Sequence, residues 1–270
     1  MQSLVIPWFR LGPWQLELPW VGTLTLHAFG MFAALAMLVG THLAQRRAAE
    51  LELPRREIDA FLTWTTLVGL GAAYLLNIVM YSPEDLSELA ADPSLLVRRW
   101  YGLSSYGGFI GGTLAALIFA WRRRVSLVAL GDAWCFAIPF AWVFARSGCF
   151  VVHDHPGRIS TFWLAVDNYA ERGVPRHDLG LYEAIWAAAV SVLFYVLSRR
   201  RQRSGSYLTL VPLLYGPVRF ALDFLRATPI DGGDVRYFGL TPGHYASLLL
   251  TLIGCVLLAR QLRVRQAAPT

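Results

Sequence analysis

Apolar residues in this chain come in long blocks, with the polar residues clustered between them. The blocks run Trp20–Ala44, Ile58–Tyr81, Leu103–Trp121, Leu127–Val152, Leu179–Ser198, Tyr207–Leu225 and Pro242–Ala259. Each comes near the roughly 20 residues that an α-helix, rising about 1.5 Å per residue, needs to cross a hydrocarbon core. The pattern predicts an all-α, polytopic membrane protein with about seven transmembrane helices.

The polar clusters supply a direction. Arg46, Arg47, Arg55 and Arg56 follow the first block, Arg122 to Arg124 the third, Arg199 to Arg201 and Arg203 the fifth, and Arg260, Arg263 and Arg265 the seventh. The alternate loops carry acid: Glu84, Asp85, Glu88 and Asp92 after the second block, Asp231 and Asp234 after the sixth. By the positive-inside bias the N-terminus lies outside and the C-terminus in the cytoplasm, with an external arm at about 153–178. That arm holds Trp163 and Tyr169, which suit an interface, and residues 1–270 read as one integral membrane domain without internal repeats. The segment around Pro7-Trp8-Phe9 and Pro13-Trp14 reads equally well as an interfacial segment or a poorly ordered tail.

Composition narrows the class. With 56% hydrophobic and 16% charged residues over 270 positions and a net charge of +6, the chain is ill suited to be a soluble domain. All cationic side chains other than histidine are arginine, and they stand beside apolar blocks, so membrane orientation explains the positive charge better than nucleic-acid binding. Cys135, Cys149 and Cys255 show neither a disulfide framework nor a zinc spacing. The first block lacks a basic leader and reads as a retained span.

Candidate chemistry lies where these blocks carry charge. Ala145 to Arg158, at the mouth of the fourth block, packs Arg146, His153, Asp154, His155 and Arg158 where an ordinary membrane exit needs only an aromatic and a turn. In the sixth block Tyr215, Arg219, Asp223 and Arg226 are spaced to share one helical face, with Arg219 and Asp223 able to pair. Ionisable residues at bilayer depth cost at least about 2.5 kcal/mol, so they face cavities and one another. A structural ion pair between helices is the plainer account, and a polar cavity for an anionic lipid head group fits the excess of arginine. Tyr182 and Glu183 open the fifth block after Arg176-His177-Asp178, where Glu183 could simply answer the helix dipole. Asp132 lies early in the fourth block and could be only an interface residue. Ser104 to Gly112 contains Gly107 and Gly108 in small-xxx-small patterns that suit helix packing or a cavity-lining backbone. His153, Asp154 and His155 have no obvious third nitrogen or thiolate ligand nearby, and no metal is expected.

These motifs, in order along most of the chain, resemble the prolipoprotein diacylglyceryl transferases. Arg146-Ser-Gly-Cys149-Phe-Val-Val152-His153-Asp154-His155-Pro-Gly157-Arg158 is similar to that family's Arg-x-Gly-Asn-Phe-x-Asn-Gly-Glu-x-x-Gly-Arg. Arg176-His177 with Leu181-Tyr182-Glu183-Ala184 is similar to its Arg-His-Pro-x-x-Leu-Tyr-Glu-Ala. Tyr215-Gly216-x-x-Arg219-Phe220-x-x-Asp223-x-x-Arg226 matches a Tyr-Gly-x-x-Arg-Phe-x-x-Glu-x-x-Arg run, and Gly239 to Tyr245 a Gly-x-x-x-Gly-Gln turn. Gly107 to Gly111 matches a His-Gly-Gly-x-x-Gly motif. Tyr106 stands at the histidine of that motif, Cys149 and Val152 replace two asparagines, and aspartate replaces glutamate at 154 and 223.

The resemblance implies a bacterial inner-membrane enzyme that moves diacylglyceryl from phosphatidylglycerol to the lipobox cysteine of a preprotein. It also implies a helical bundle around a central lipid-binding cavity, with no cofactor and no metal. The expected partners are phosphatidylglycerol, a lipobox peptide and membrane lipids, not nucleic acid, and the expected state is a monomer. Arg146 and Arg219 would neutralise the phosphate, with Arg158 at the outer rim; Asp223 and Asp154 would orient them or bind glycerol hydroxyls. Tyr106 or a nearby histidine would touch the thiol, with His153 and His155 as the candidate bases. Tyr215, Gly107, Gly108, His177, Tyr182, Glu183 and Asp132 would line the substrate. Two other readings stay open: a paralogue that transfers a lipid or head group to another acceptor, and a lipid-binding protein without catalysis. All versions require Arg146 and Arg219 to converge.

Overall fold

The structure is a computed structural model that describes residues 5–20, 22–99, 102–167, 173–228 and 234–267. Tyr169 and Asp231 lie outside the described residues. Of the described residues 68% are helical, as an all-α membrane protein should be. Among the described residues five helices are long and apolar enough to cross a bilayer: Ala28–Glu50, Arg55–Met80, Leu127–Val152, Leu179–Ser198 and Pro242–Val264. Contacts divide the chain into two compact units, Met1–Ala44 with Asp132–Thr270, and Gln45–Gly131.

In the smaller unit, α2 (Arg55–Tyr81) packs on α5 (Ser105–Arg123). A Cβ on Gly107 would lie 2.4 Å from the Ala72 carbonyl oxygen, and one on Gly111 2.2 Å from the Ala72 side chain. Only glycine allows the backbones this close, so the small-residue pattern is spent on helix packing. Ser104 caps α5 through the Gly107 amide. A 3₁₀ turn at Pro83–Asp85 and the short helices α3 (Leu86–Ala91) and α4 (Leu95–Arg98) fill the loop between α2 and α5.

The larger unit begins with an antiparallel hairpin, β1 (Trp14–Leu18) paired with β2 (Gly22–Leu26). The first apolar block therefore does not start its helix at Trp20. The alternating Thr-Leu-Thr-Leu of β2 pairs across the hairpin, and α1 runs only from Ala28, continuing through the arginines to Glu50. Next come α6 (Leu127–Val152), β3 (Pro156–Ile159), β4 (Arg176–Asp178), α7 (Leu179–Ser198), α8 (Ser206–Asp223) and α9 (Pro242–Ala267). The block bounds for α6 and α7 coincide with those read from the sequence.

Cys135 and Phe136 of α6, Val190 and Phe194 of α7, and Tyr207 and Val211 of α8 form a buried cluster. Asp132 lies beside it, fully buried, and accepts hydrogen bonds from the Tyr207 amide at 2.7 Å and the Leu208 amide at 3.2 Å. Its carboxylate serves the open amides at the start of α8. Gly216 and Gly254 bring α8 and α9 together: a Cβ on Gly216 would meet the Thr251 hydroxyl at 2.2 Å, and one on Gly254 the Leu213 side chain at 2.8 Å.

Candidate active site

The end of α6 sets the site. His153 follows the helix at φ 52°, the left-handed conformation that closes many helices and that glycine most readily supplies. Its ring is fixed on every side: one nitrogen bonds Asp178 at 2.8 Å, the other the Phe9 carbonyl at 2.9 Å, and Trp8 stacks on it at 4.4 Å. His153 is therefore a buried fastener for the N-terminal segment, with both ring nitrogens engaged inside the protein. The turn it makes carries Asp154 and His155 back over α6, where His155 Nε2 lies 3.5 Å from an Arg146 guanidinium nitrogen.

Beyond the turn, β3 is held between β4 and the chain after α8. Pro156 pairs with Asp178 and Ile159 with Arg176. The Arg158 amide donates to the Leu225 carbonyl at 2.8 Å, and Gly157 bridges to Arg226. Gly157 has no room for a side chain, because a Cβ would lie 2.6 Å from that of His177 and 2.8 Å from the Leu225 carbonyl oxygen. Arg176 is buried and donates to the Gly157 carbonyl at 3.1 Å.

Asp178 caps α7 by accepting from the Leu181 amide at 3.0 Å. Gly180 lies against α6, with space for a Cβ only 3.1 Å from that of Cys149. This close approach delivers Glu183, one turn on, to the centre of the cluster. Arg146 Nε reaches Glu183 Oε2 at 2.9 Å, Arg219 reaches Oε1 at 2.7 Å, and the Tyr215 hydroxyl donates to Oε2 at 2.9 Å. Arg219 also pairs with Asp223 at 2.9 Å. Trp142 supports the assembly, with the Arg146 guanidinium 5.4 Å above its ring and Tyr215 packed at 4.7 Å on one side.

Further polar groups stand behind this pair. Asp223 accepts from the Thr241 hydroxyl and lies 3.4 Å from His244 Nδ1 and 3.9 Å from Arg226. Arg226 in turn pairs with Asp234 at 2.9 Å. The carboxylates are the hidden members: Glu183 is 1% and Asp223 0% exposed, against 18% for Arg146 and 16% for Arg219. Two guanidiniums fixed by buried carboxylates and reachable at their outer edges suit an anion with two or more oxygens.

The turn also brings a thiol to the two residues after His153, which sequence spacing did not foresee. Ligating atoms of Cys149, Asp154 and His155 all lie within 4.8 Å of one another. Arg146 NH1 is 3.9 Å from the Cys149 sulfur and 3.5 Å from His155 Nε2. A guanidinium nitrogen therefore lies beside two of these three groups.

Of the residues singled out in the sequence, Arg146, Tyr215, Arg219, Asp223 and Glu183 meet in one cluster, with Asp154 and His155 at its edge. His177 and Tyr182 form a separate pair outside it, hydrogen-bonded at 2.6 Å and flanked by Phe162. Burial holds the His177 imidazole below its ordinary pKa of 6.5. Arg158 is exposed on β3. Gly107 and Gly108 lie at the α2–α5 contact, and Tyr106 is exposed on the same helix. Asp178, Thr241, His244 and Trp142 were not anticipated. Thr241-Pro242 carries a helix-start signal, Thr as cap and Pro at the first turn, but nothing in it points to Asp223.

A chain with this many apolar helices, carrying paired arginines and carboxylates within them, is a multi-pass membrane protein that maintains a polar centre. It belongs to the prolipoprotein diacylglyceryl transferase family, whose sequence profile matches residues 17–260. It is similar to the phosphatidylglycerol-prolipoprotein diacylglyceryl transferase of Janthinobacterium sp. (strain Marseille), 28% identical over 268 residues and 95% of each chain. The enzymes of the same name from Chromohalobacter salexigens, 29% identical over 88% of each chain, and Azotobacter vinelandii, 26% identical over 94% of this chain and 96% of the other, resemble it comparably.

Proposed function

We propose that this protein is a phosphatidylglycerol-prolipoprotein diacylglyceryl transferase of the bacterial inner membrane. Its acceptor is the lipobox cysteine of a preprotein, and it works as a monomer without metal or cofactor. In this reading α5 and α8 also cross the bilayer, making seven spans with the N-terminus outside, and the Arg146–Glu183–Arg219 cluster faces a lipid cavity near the outer leaflet.

The chemistry asks for what the cluster offers. The acceptor sulfur attacks the glycerol carbon of the diacylglyceryl group; the carbon–oxygen bond breaks, and its electron pair leaves with glycerol phosphate. The phosphodiester carries one negative charge and the departing monoester gains a second until it takes up a proton. Cations beside the phosphate therefore stabilise the transition state more than the bound lipid. Arg146 and Arg219 fill this role, since they remain charged in a dry site and can each offer two donors. Glu183 fixes both and keeps them from repelling each other, while Asp223 steadies Arg219 from behind. Arg158, on the exposed strand, is suited to meet the head group at the rim.

The observation that carries the proposal is the convergence of Arg146 and Arg219, from separate helices, on the single carboxylate of Glu183. The test incubates the purified protein in phosphatidylglycerol vesicles with a lipobox peptide and measures the mass of a thioether-linked diacylglycerol. Arg219→Lys, which loses the planar fork, should transfer at least tenfold more slowly. Transfer at the parental rate by that variant, or no lipidated peptide from the parent, would refute the reading.

A further inference from the structure

We propose that His155, oriented by Asp154, accepts the proton of the incoming thiol. The inference rests on the transfer reading above and adds a catalytic residue to it.

The two partners of the imidazole fix its tautomer. A guanidinium has donors only, so the His155 Nε2 that faces Arg146 at 3.5 Å presents a lone pair. Asp154 meets the opposite nitrogen, Nδ1, which must then be the one carrying hydrogen. A carboxylate lies behind the protonated nitrogen, and the Nε2 lone pair, which accepts from Arg146, is released to receive a proton when that guanidinium turns to the lipid phosphate. The other charged or titratable groups facing it are the Cys149 thiol on α6 and, through Arg146, Glu183 on α7.

The loop is held from both sides. The His155 carbonyl accepts from the Leu179 amide at 3.2 Å, and the next residue, Pro156, pairs with Asp178. The ring itself is only partly covered, 25% exposed, so a peptide thiol can reach it. The other histidines in this unit near the cluster are engaged differently. The His153 side chain is fully buried between Asp178 and the Phe9 carbonyl, His177 is bound to Tyr182, and His244, also buried, accepts at Nδ1 from the Thr241 amide at 3.1 Å.

The step balances. The S–H proton moves to His155 Nε2, the sulfur pair forms the S–C bond, and the C–O pair goes to the phosphate oxygen held by Arg146 and Arg219. The imidazolium then returns the proton to the departing glycerol phosphate, and its nearness to Arg146 places donor and acceptor together. Asp154 is a positioning residue that acts through His155.

The test compares the full-length parent, His155→Ala, His155→Gln and Asp154→Asn in phosphatidylglycerol vesicles with the lipobox peptide, together with lipid binding by native mass spectrometry. Both His155 variants should retain phosphatidylglycerol and lose at least about a hundredfold in kcat/KM. Added imidazole should restore part of the activity of His155→Ala, and the acid-side limb of the pH profile should flatten. Asp154→Asn, which still offers an oxygen to Nδ1, should lower kcat more mildly and leave the lipid bound. A His155→Ala rate within threefold of the parent overturns the proposal. So does a loss that imidazole does not relieve while the acid limb persists. A parent that never lipidates the peptide overturns the transfer reading and this proposal with it; an active parent indifferent to His155 overturns this proposal alone.

Discussion

Removing the charge of Glu183 is the sharpest perturbation that the cluster permits. The Glu183→Gln side chain keeps the shape but offers one acceptor oxygen where three donors now converge: Arg146 at 2.9 Å, Arg219 at 2.7 Å and Tyr215 at 2.9 Å. Its amide nitrogen, a donor itself, would face a guanidinium or the tyrosine hydroxyl. Arg219 keeps Asp223, but Arg146 loses its only carboxylate partner within the described residues, in a setting where breaking a buried ion pair costs about 3–5 kcal/mol. The guanidiniums are slightly exposed, so the lower end, about 3 kcal/mol, is expected. In transfer, a guanidinium displaced by about 1 Å costs on the order of a hundredfold. The charges around the site, two guanidiniums against Glu183 and Asp223, sum to zero in the parent and to +1 in the variant. An anionic lipid should therefore stabilise Glu183→Gln more than the parent. The assay is thermal unfolding in neutral detergent with and without phosphatidylglycerol, beside peptide lipidation. A variant that unfolds with the parent, gains nothing extra from the lipid and transfers at the parental rate would refute the account of Glu183 as the common counter-ion.

Other consequences are local. Gly157→Ala would drive a methyl into His177 and the Leu225 carbonyl, so it should cost about 1–3 kcal/mol in thermal unfolding and reduce transfer by shifting the His155 loop. Asp132→Ala removes the cap of α8 and should lose about 0.5–2 kcal/mol of stability, with kcat/KM for lipidation changed less than threefold; a hundredfold loss in a folded variant would return Asp132 to the substrate. The His177 imidazole, held below 6.5 by burial, makes stability pH-dependent. Between 6.5 and the lower folded value the unfolded chain binds more proton, so stability is full above that window and falls as pH drops through it. His177→Gln should remove that slope in thermal unfolding measured from pH 8 to about 5; an unchanged slope would contradict it.

Much of the helical framework could be read directly from the chain. The bounds of α6 and α7 follow from uninterrupted apolar runs ended by polar turns, and such runs have few alternatives in a bilayer. Where the run mixes with alternation, as at Gly22–Leu26, local pattern failed: whether a Thr-Leu repeat continues a helix or pairs with β1 is settled by the neighbouring strand. The charged face of α8 was legible for the same reason as the helices, because a period of 3.6 places Tyr215, Arg219 and Asp223 in line. The family resemblance set Glu183 among the residues lining the substrate, but nothing in the chain marked it as the shared partner of two arginines. By itself it read as an acid near a helix start, for which the dipole is a sufficient reason.

The sequence alone determined the membrane class, the approximate helices and a set of ionisable residues too costly to be idle at bilayer depth. Tertiary structure decided their partners. It joined Glu183 to arginines from two other helices, gave Asp132 to a helix end, closed α6 with His153 and left His155 over Arg146. The physical reason is that burial cost depends on composition and can be summed along a chain. Hydrogen-bond geometry depends on angstrom-scale approach between segments distant in sequence, which here is set by glycines at 157 and 180 and by a single left-handed turn.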